Sequence, residues 1–241
     1  MDDPSPTGLS RRALLRNGLL VGLGATAAVT ALPELAGMAL AENSNQYVTV
    51  YYNDEPTITN LSQPDWWYCV QCYGIFHSDD DTPNGVCPYN GGKHQNNTSY
   101  YNYCTQFGGS SEGPDLGGSG VQSGWRWCSK CQGLFWGSAA ADSYCPAGGQ
   151  HIVTSDTYTY VLVFGTPTIA WTNAQGSSYT VAAQSGWLYC GKCRGLFYGH
   201  GTNSGGWCPA GSHHLQASNS YNYEMIPDPA IDTSVLTPIN G

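Results

Sequence analysis

Three cysteines and one histidine recur as a set three times along this chain of 241 residues. The sets are Cys69, Cys72, Cys87 and His94; Cys128, Cys131, Cys145 and His151; and Cys190, Cys193, Cys208 and His214. In each, a C-x-x-C pair comes first, a Cys-Pro dipeptide follows a polar loop, and a glycine-bearing turn leads to the histidine. Thiolate sulfur with neutral imidazole is a closed ligand set for tetrahedral zinc. Four protein ligands leave no position for water, so the expected role is a structural staple and not a catalytic centre. About three zinc ions per chain are expected on ligand type, with iron in a rubredoxin-like site next in line, although iron there usually takes four thiolates. In the third set His213 adjoins His214, and both are open as the ligand. Tyrosines at matched distances after His94, His151 and His214 select the latter.

Disulfides are the default reading for cysteines in an exported chain. The odd number per copy argues against them, since no copy can pair all its own thiols and pairing across copies leaves one over. C-x-x-C by itself also suits a redox motif, but the βαβ setting of that motif is lacking. Size points to metal as well. A repeat core of roughly 40 residues seldom folds on burial alone, and structural zinc supplies about 10–16 kcal/mol of apparent binding free energy. The tenth cysteine, Cys104, has no counterpart, Val161 and Glu224 standing at the equivalent positions. It reads as a buried free thiol or as half of an intermolecular disulfide.

The elements that must position these ligands are legible from the flanking pattern. Each C-x-x-C sits in W-x-[YW]-C-x-x-C-x-G-[IL]-F, over residues 66–76, 125–135 and 187–197. Downstream of each histidine come Tyr101 and Tyr103, Tyr158 and Tyr160, or Tyr221 and Tyr223. A spacing of two puts both rings of a pair on one face of a strand. Two strands joined through a cysteine knuckle, with two further ligands from a turn, resemble a zinc ribbon. The predicted fold is therefore all-β: three tandem zinc-ribbon-like repeats, as beads or packed with pseudo-threefold symmetry. Residues 47–52 and 158–164 also have strand composition and are candidates for pairing between copies. The expected division is 42–107 for repeat 1, 108–165 for repeat 2 with a Gly/Ser-rich lead-in, 166–227 for repeat 3, and 228–241 for a tail. Copy one carries one extra residue before His94, which predicts a looser site. The whole repeat resembles a module of unassigned role found in several copies in secreted bacterial proteins, so the resemblance carries no activity with it.

Residues 1–41 read as a cleaved twin-arginine signal. Ser10-Arg11-Arg12-Ala13-Leu14-Leu15-Arg16 precedes a modestly apolar stretch broken by Gly18, Gly22 and Gly24, and Ala39-Leu40-Ala41 has the small-x-small form of a cleavage site. The stretch is short of the roughly 20 apolar residues a membrane span needs. A secreted protein, extracellular or wall-associated, is the expectation, with no membrane anchorage of the mature form. Export through this route moves folded proteins, which suits metal sites filled before meeting an oxidising exterior. The net charge of −9 argues against nucleic acid or anionic lipid as a partner.

Function is much less legible. No H-E-x-x-H or phosphate-cradling loop is present. His77 and His200 do not recur at matched positions, and His77 aligns with Trp136 and Tyr198, reading as a surface residue. Asp79, Asp80 and Asp81 lack calcium-loop spacing and read as a solvated acidic loop. Aromatic rings are the other abundant resource. Trp66, Trp125 and Trp187 recur and read as core. Trp67, Trp136, Trp171, Tyr198 and Trp207 recur less regularly, and the first four are candidate ligand-binding rings for stacking on sugars. Three readings follow: a metal-stapled binding or structural protein with glycan or cell-wall polymer as its ligand, a zinc- or copper-handling protein, and a hydrolase whose site has no recognised signature.

Overall fold

A computed structural model of the chain describes residues 47–52, 55–79, 84–96, 102–107, 120–155, 157–165, 168–172, 177–228 and 236–238. Contacts divide the chain into Met1–Ser44 and Asn45–Gly241, and every described residue lies in the second unit. The expected leader, Tyr101 and Asp80–Asp81 fall outside the described residues.

The described residues are all-β, with one short 3-10 helix among them at Gly137–Asp142. Each repeat contributes three strands. A Trp strand carries the tryptophan (Glu55–Tyr68, Gly120–Trp127, Gln184–Tyr189), and a Phe strand of three residues follows the knuckle (Ile75–His77, Leu134–Trp136, Leu196–Tyr198). A Tyr strand closes the repeat (Asn102–Phe107, Tyr160–Phe164, Asn222–Pro227). In every copy the Trp strand lies between the other two, pairing antiparallel with both. Its register against the Tyr strand slips just before the tryptophan. The bulge places Asp65, Gly124 and Gly186 at positive φ, and in the latter two copies glycine relieves the strain.

The copies are not beads. The C-terminal half of each Tyr strand pairs with the N-terminal half of the next: Gln106 with Val161, Glu224 with Val163, and Ile226 with Cys104. Three such steps close a ring, so the repeats pack around a pseudo-threefold axis. A second ring runs through the Phe strands, where isolated bridges join Phe76 to Gly133, Phe135 to Gly195 and Phe197 to Gly74. Both rings follow the same cyclic order. Tyr47–Tyr52 pairs with the start of the first Trp strand and with Thr168–Thr172, and Ser178–Val181 and Leu236–Pro238 extend that side sheet.

Closure creates one shared core. Trp66, Trp125 and Trp187 are fully buried, and each meets a tyrosine of another repeat edge-on: Tyr160 at 5.1 Å, Tyr223 at 5.2 Å and Tyr103 at 5.3 Å. Those same tyrosines donate their hydroxyls to Gln63, Gln122 and Gln184, each three residues before a tryptophan; the Tyr160–Gln63 bond is 2.6 Å. Aromatic burial supplies the driving force, and the hydroxyl bonds fix the alignment of neighbouring repeats. Replacing Tyr160 with Phe is expected to cost about 1–2 kcal/mol, because the Gln63 carbonyl loses its donor. A urea midpoint unchanged from the parent protein would show that this bond contributes nothing.

Candidate metal centres

Each ligand set is assembled from two elements of its own repeat. The C-x-x-C pair turns the corner between Trp and Phe strands, held by reciprocal backbone bonds. In the first copy the Cys69 N–H donates to the Gly74 carbonyl at 2.9 Å and the Tyr73 N–H to the Cys69 carbonyl at 2.8 Å. The same pair of bonds recurs at Cys128 and Cys190. Tyr73, Gln132 and Arg194, next after the second cysteine, take the left-handed conformation that closes this turn. The third cysteine opens a tight Cys-Pro loop, and the backbone N–H two residues on (Tyr89, Ala147 or Ala210) donates to its sulfur. That bond stabilises a thiolate.

The four ligand atoms of each set lie within 4.8 Å of one another, and all twelve residues are buried. First-to-third cysteine sulfurs are separated by 3.8, 3.9 and 4.0 Å in the three copies. Second-cysteine Sγ to histidine Nδ1 is 3.4 Å in every copy. A tetrahedral zinc has edges of about 3.8 Å between sulfurs and about 3.6 Å between sulfur and nitrogen, given Zn–S near 2.3 Å and Zn–N near 2.05 Å. A disulfide needs sulfurs about 2.05 Å apart, and none of the ten cysteines is in one. The ligand chemistry and the spacing both fit zinc, one ion per set and about three per chain.

Electrostatics point the same way. Hydrogen bonds from Cys72 and Cys87 hold the Cys69 thiol far below its ordinary range, while burial pushes Cys72 well above it. Cys128 with Cys131, and Cys190 with Cys193, repeat that division. Bonding with Cys69 raises Cys87 to about 11. A buried thiolate flanked by reluctant thiols is compensated by a divalent cation, which displaces the remaining protons as it binds. The motif phenylalanine then covers each imidazole face: Phe76 on His94 at 4.7 Å, Phe135 on His151 at 4.5 Å and Phe197 on His214 at 4.9 Å. These ring planes lie within 17° of parallel, which fixes the imidazole orientation.

Several sequence-level questions are settled by position. His214 is the third-copy ligand, whereas His213 is exposed and turns Nδ1 to the Gly206 carbonyl at 2.7 Å. The first site is no looser than the others. Its extra residue is absorbed in the loop, where the Cys87 N–H reaches Gly92 while Cys145 and Cys208 reach Gly149 and Ser212 one residue sooner. Cys104 is buried among Val121, Val161 and Ile226, occupying the apolar slot that Val161 fills in the second copy. Burial pushes its thiol up, as for an inert core cysteine. His77, expected at the surface, is buried edge-on against Trp66 because its Phe strand lies under the neighbouring knuckle.

The candidate ring residues are distributed unevenly. Trp67 is half-buried beside the first cysteine cluster and donates its indole N–H to the Ser78 carbonyl. Trp136 covers Trp125, Trp171 is buried against Tyr179, and Tyr198 packs on Trp187. The exposed large rings among the described residues are Tyr89, Tyr144 and Trp207. All three flank a third cysteine, a position that the irregular loop sequences concealed. The three glutamines that precede the tryptophans were also overlooked, although Q-x-x-W recurs in every copy.

No known family, curated protein or solved structure matches this chain. The metal centres therefore stand on their own geometry.

Proposed function

We propose that this protein is an exported binding scaffold, in which three structural zinc ions hold a rigid three-lobed β body that presents its loops to a glycan or cell-wall polymer. The observation that carries this reading is the threefold repetition of one closed, buried Cys3His set. Active sites are rarely triplicated with all coordination positions filled by protein, whereas staples are. The twin-arginine-like leader supports export with the ions already in place. Exposed rings of the kind that stack on sugar faces, Tyr89, Tyr144 and Trp207, among abundant Asn, Ser, Thr and Gln, support the ligand class.

Elemental analysis with native mass spectrometry on the purified mature chain tests the metal reading. Three zinc ions and one free thiol, that of Cys104, are expected. A metal-free chain whose cysteines are oxidised in pairs would end it. Metal handling is the second reading, and burial of all twelve ligands weighs against it, since a carrier must release its cargo without unfolding.

A further inference from the structure

The three Cys-Pro loops do more than close their own metal sites. Those of all three repeats line one open groove, with Pro88, Pro146 and Pro209 each contributing. The groove encloses about 1220 Å³, more than the roughly 300–1000 Å³ of a drug-sized pocket and suited to a segment of polymer. Tyr144 and Trp207 line it, 54% and 43% exposed, and Tyr89, 47% exposed, packs edge-on to Trp207 at 5.5 Å. One ring comes from each repeat. Each stands within two residues of a metal-site cysteine, so the platforms are held and lose little entropy on binding.

Charge is distributed just as unevenly. Beyond the leader the chain has only five basic residues, Lys93, Arg126, Lys130, Lys192 and Arg194. Lys192 and Arg194 line the groove, and Lys130 reaches its wall through a 2.6 Å bond to the Gly148 carbonyl. The Lys192 ammonium directs one N–H to the Gly211 carbonyl at 2.8 Å and keeps two for a ligand. Arg194 donates to the Tyr189 hydroxyl at 3.4 Å, and its Nε is buried without a partner. Asp142 is the acidic residue on the lining. A chain of net charge −9 thus gathers most of its cations on one aromatic-rimmed face.

We infer that this groove is the ligand site and that its ligand is a uronate-bearing polysaccharide. The inference rests on the binding reading above and names the site and chemistry for it. The pyranose faces stack on Trp207 and Tyr144, while the carboxylates pair with the Lys192 ammonium. A polyol phosphate chain offers the charge without a ring face. A nucleic acid offers both, and its preferential binding would decide against the uronate.

The test is titration calorimetry of the zinc-loaded mature protein with oligogalacturonate, cellohexaose, poly(glycerol phosphate) and oligo-dT. Oligogalacturonate is expected to bind, with affinity falling as salt rises. Trp207→Ala and Tyr144→Ala should each weaken it about tenfold, and Lys192→Gln about fivefold, at unchanged zinc content, because none of these side chains belongs to a buried core cluster. Equal binding of cellohexaose, unaffected by Lys192→Gln, would overturn the acidic ligand and leave glycan binding standing. Binding that survives the groove variants but is lost in Trp136→Ala would overturn the site alone. Preference for oligo-dT or poly(glycerol phosphate) would overturn the ligand class. No heat with any polymer, from protein carrying three zinc ions, would overturn the site and the glycan reading together while leaving the metal scaffold intact.

Discussion

Stripping the metal with a strong chelator under reducing conditions is expected to unfold all three repeats in a single transition. Each ion contributes about 10–16 kcal/mol of apparent binding free energy, as much as the entire net stability of about 5–15 kcal/mol typical of a domain. Without it, three buried sulfurs and an imidazole are left facing one another in every knuckle. The loss does not stay local. Each Phe strand donates a backbone bond to the neighbouring knuckle: His77 to Gln132 at 2.9 Å, Trp136 to Arg194 at 2.9 Å and Tyr198 to Tyr73 at 2.8 Å. The buried tryptophans meet tyrosines of another copy, so no repeat retains a core once a neighbour melts. Zinc release, loss of β-sheet circular dichroism and exposure of tryptophan should coincide along one chelator titration. Stepwise removal of three ions with the spectrum unchanged would show that the ions are cargo and that the fold stands without them.

Gly206→Ala is expected to weaken the metal site of a repeat in which it does not lie, and with it the whole ring. Gly206 belongs to the third copy, at φ +55°, and a Cβ there would sit 2.1 Å from the carbonyl oxygen of Cys72 in the first. That oxygen is backbone, in the turn that carries two of the first site's ligands, so it cannot swing aside as a side chain would. Gly85 stands in the same relation to Cys131, also at 2.1 Å. In the second copy Ser143 occupies this position at φ −91°, and the Tyr144 N–H reaches the Cys193 carbonyl instead. The cost should be about 3 kcal/mol or more, strain and overpacking together. Zinc release and unfolding should begin at a lower chelator concentration than in the parent protein, with Cys69, Cys72 and Cys87 the first to be alkylated. Gly201→Ala is the control: its φ is +75° with nothing within 4 Å, so it carries the conformational cost of about 1 kcal/mol alone. Equal effects of the two substitutions would mean that the seam transmits nothing to the first site.

The sequence by itself determined the local chemistry. Twelve ligands, the strands that flank each C-x-x-C and the burial of Trp66, Trp125 and Trp187 were readable because each depends on residues within one repeat, and the repeat is written three times. Even the choice of His214 followed from the register of Tyr221 and Tyr223. Closure was one of two arrangements that the sequence left open. Beads and a ring have the same ligands and the same strands; they differ in whether the Gln106 backbone meets Val161 or water, and in whether the Tyr103 hydroxyl finds Gln184, 81 residues away. Such pairings are chosen by the packing of all three copies at once, since the aromatic surface left exposed by any one repeat is buried only when the other two are in place. The gathering of Tyr89, Tyr144, Trp207 and Lys192 on one face follows from that closure and from nothing local.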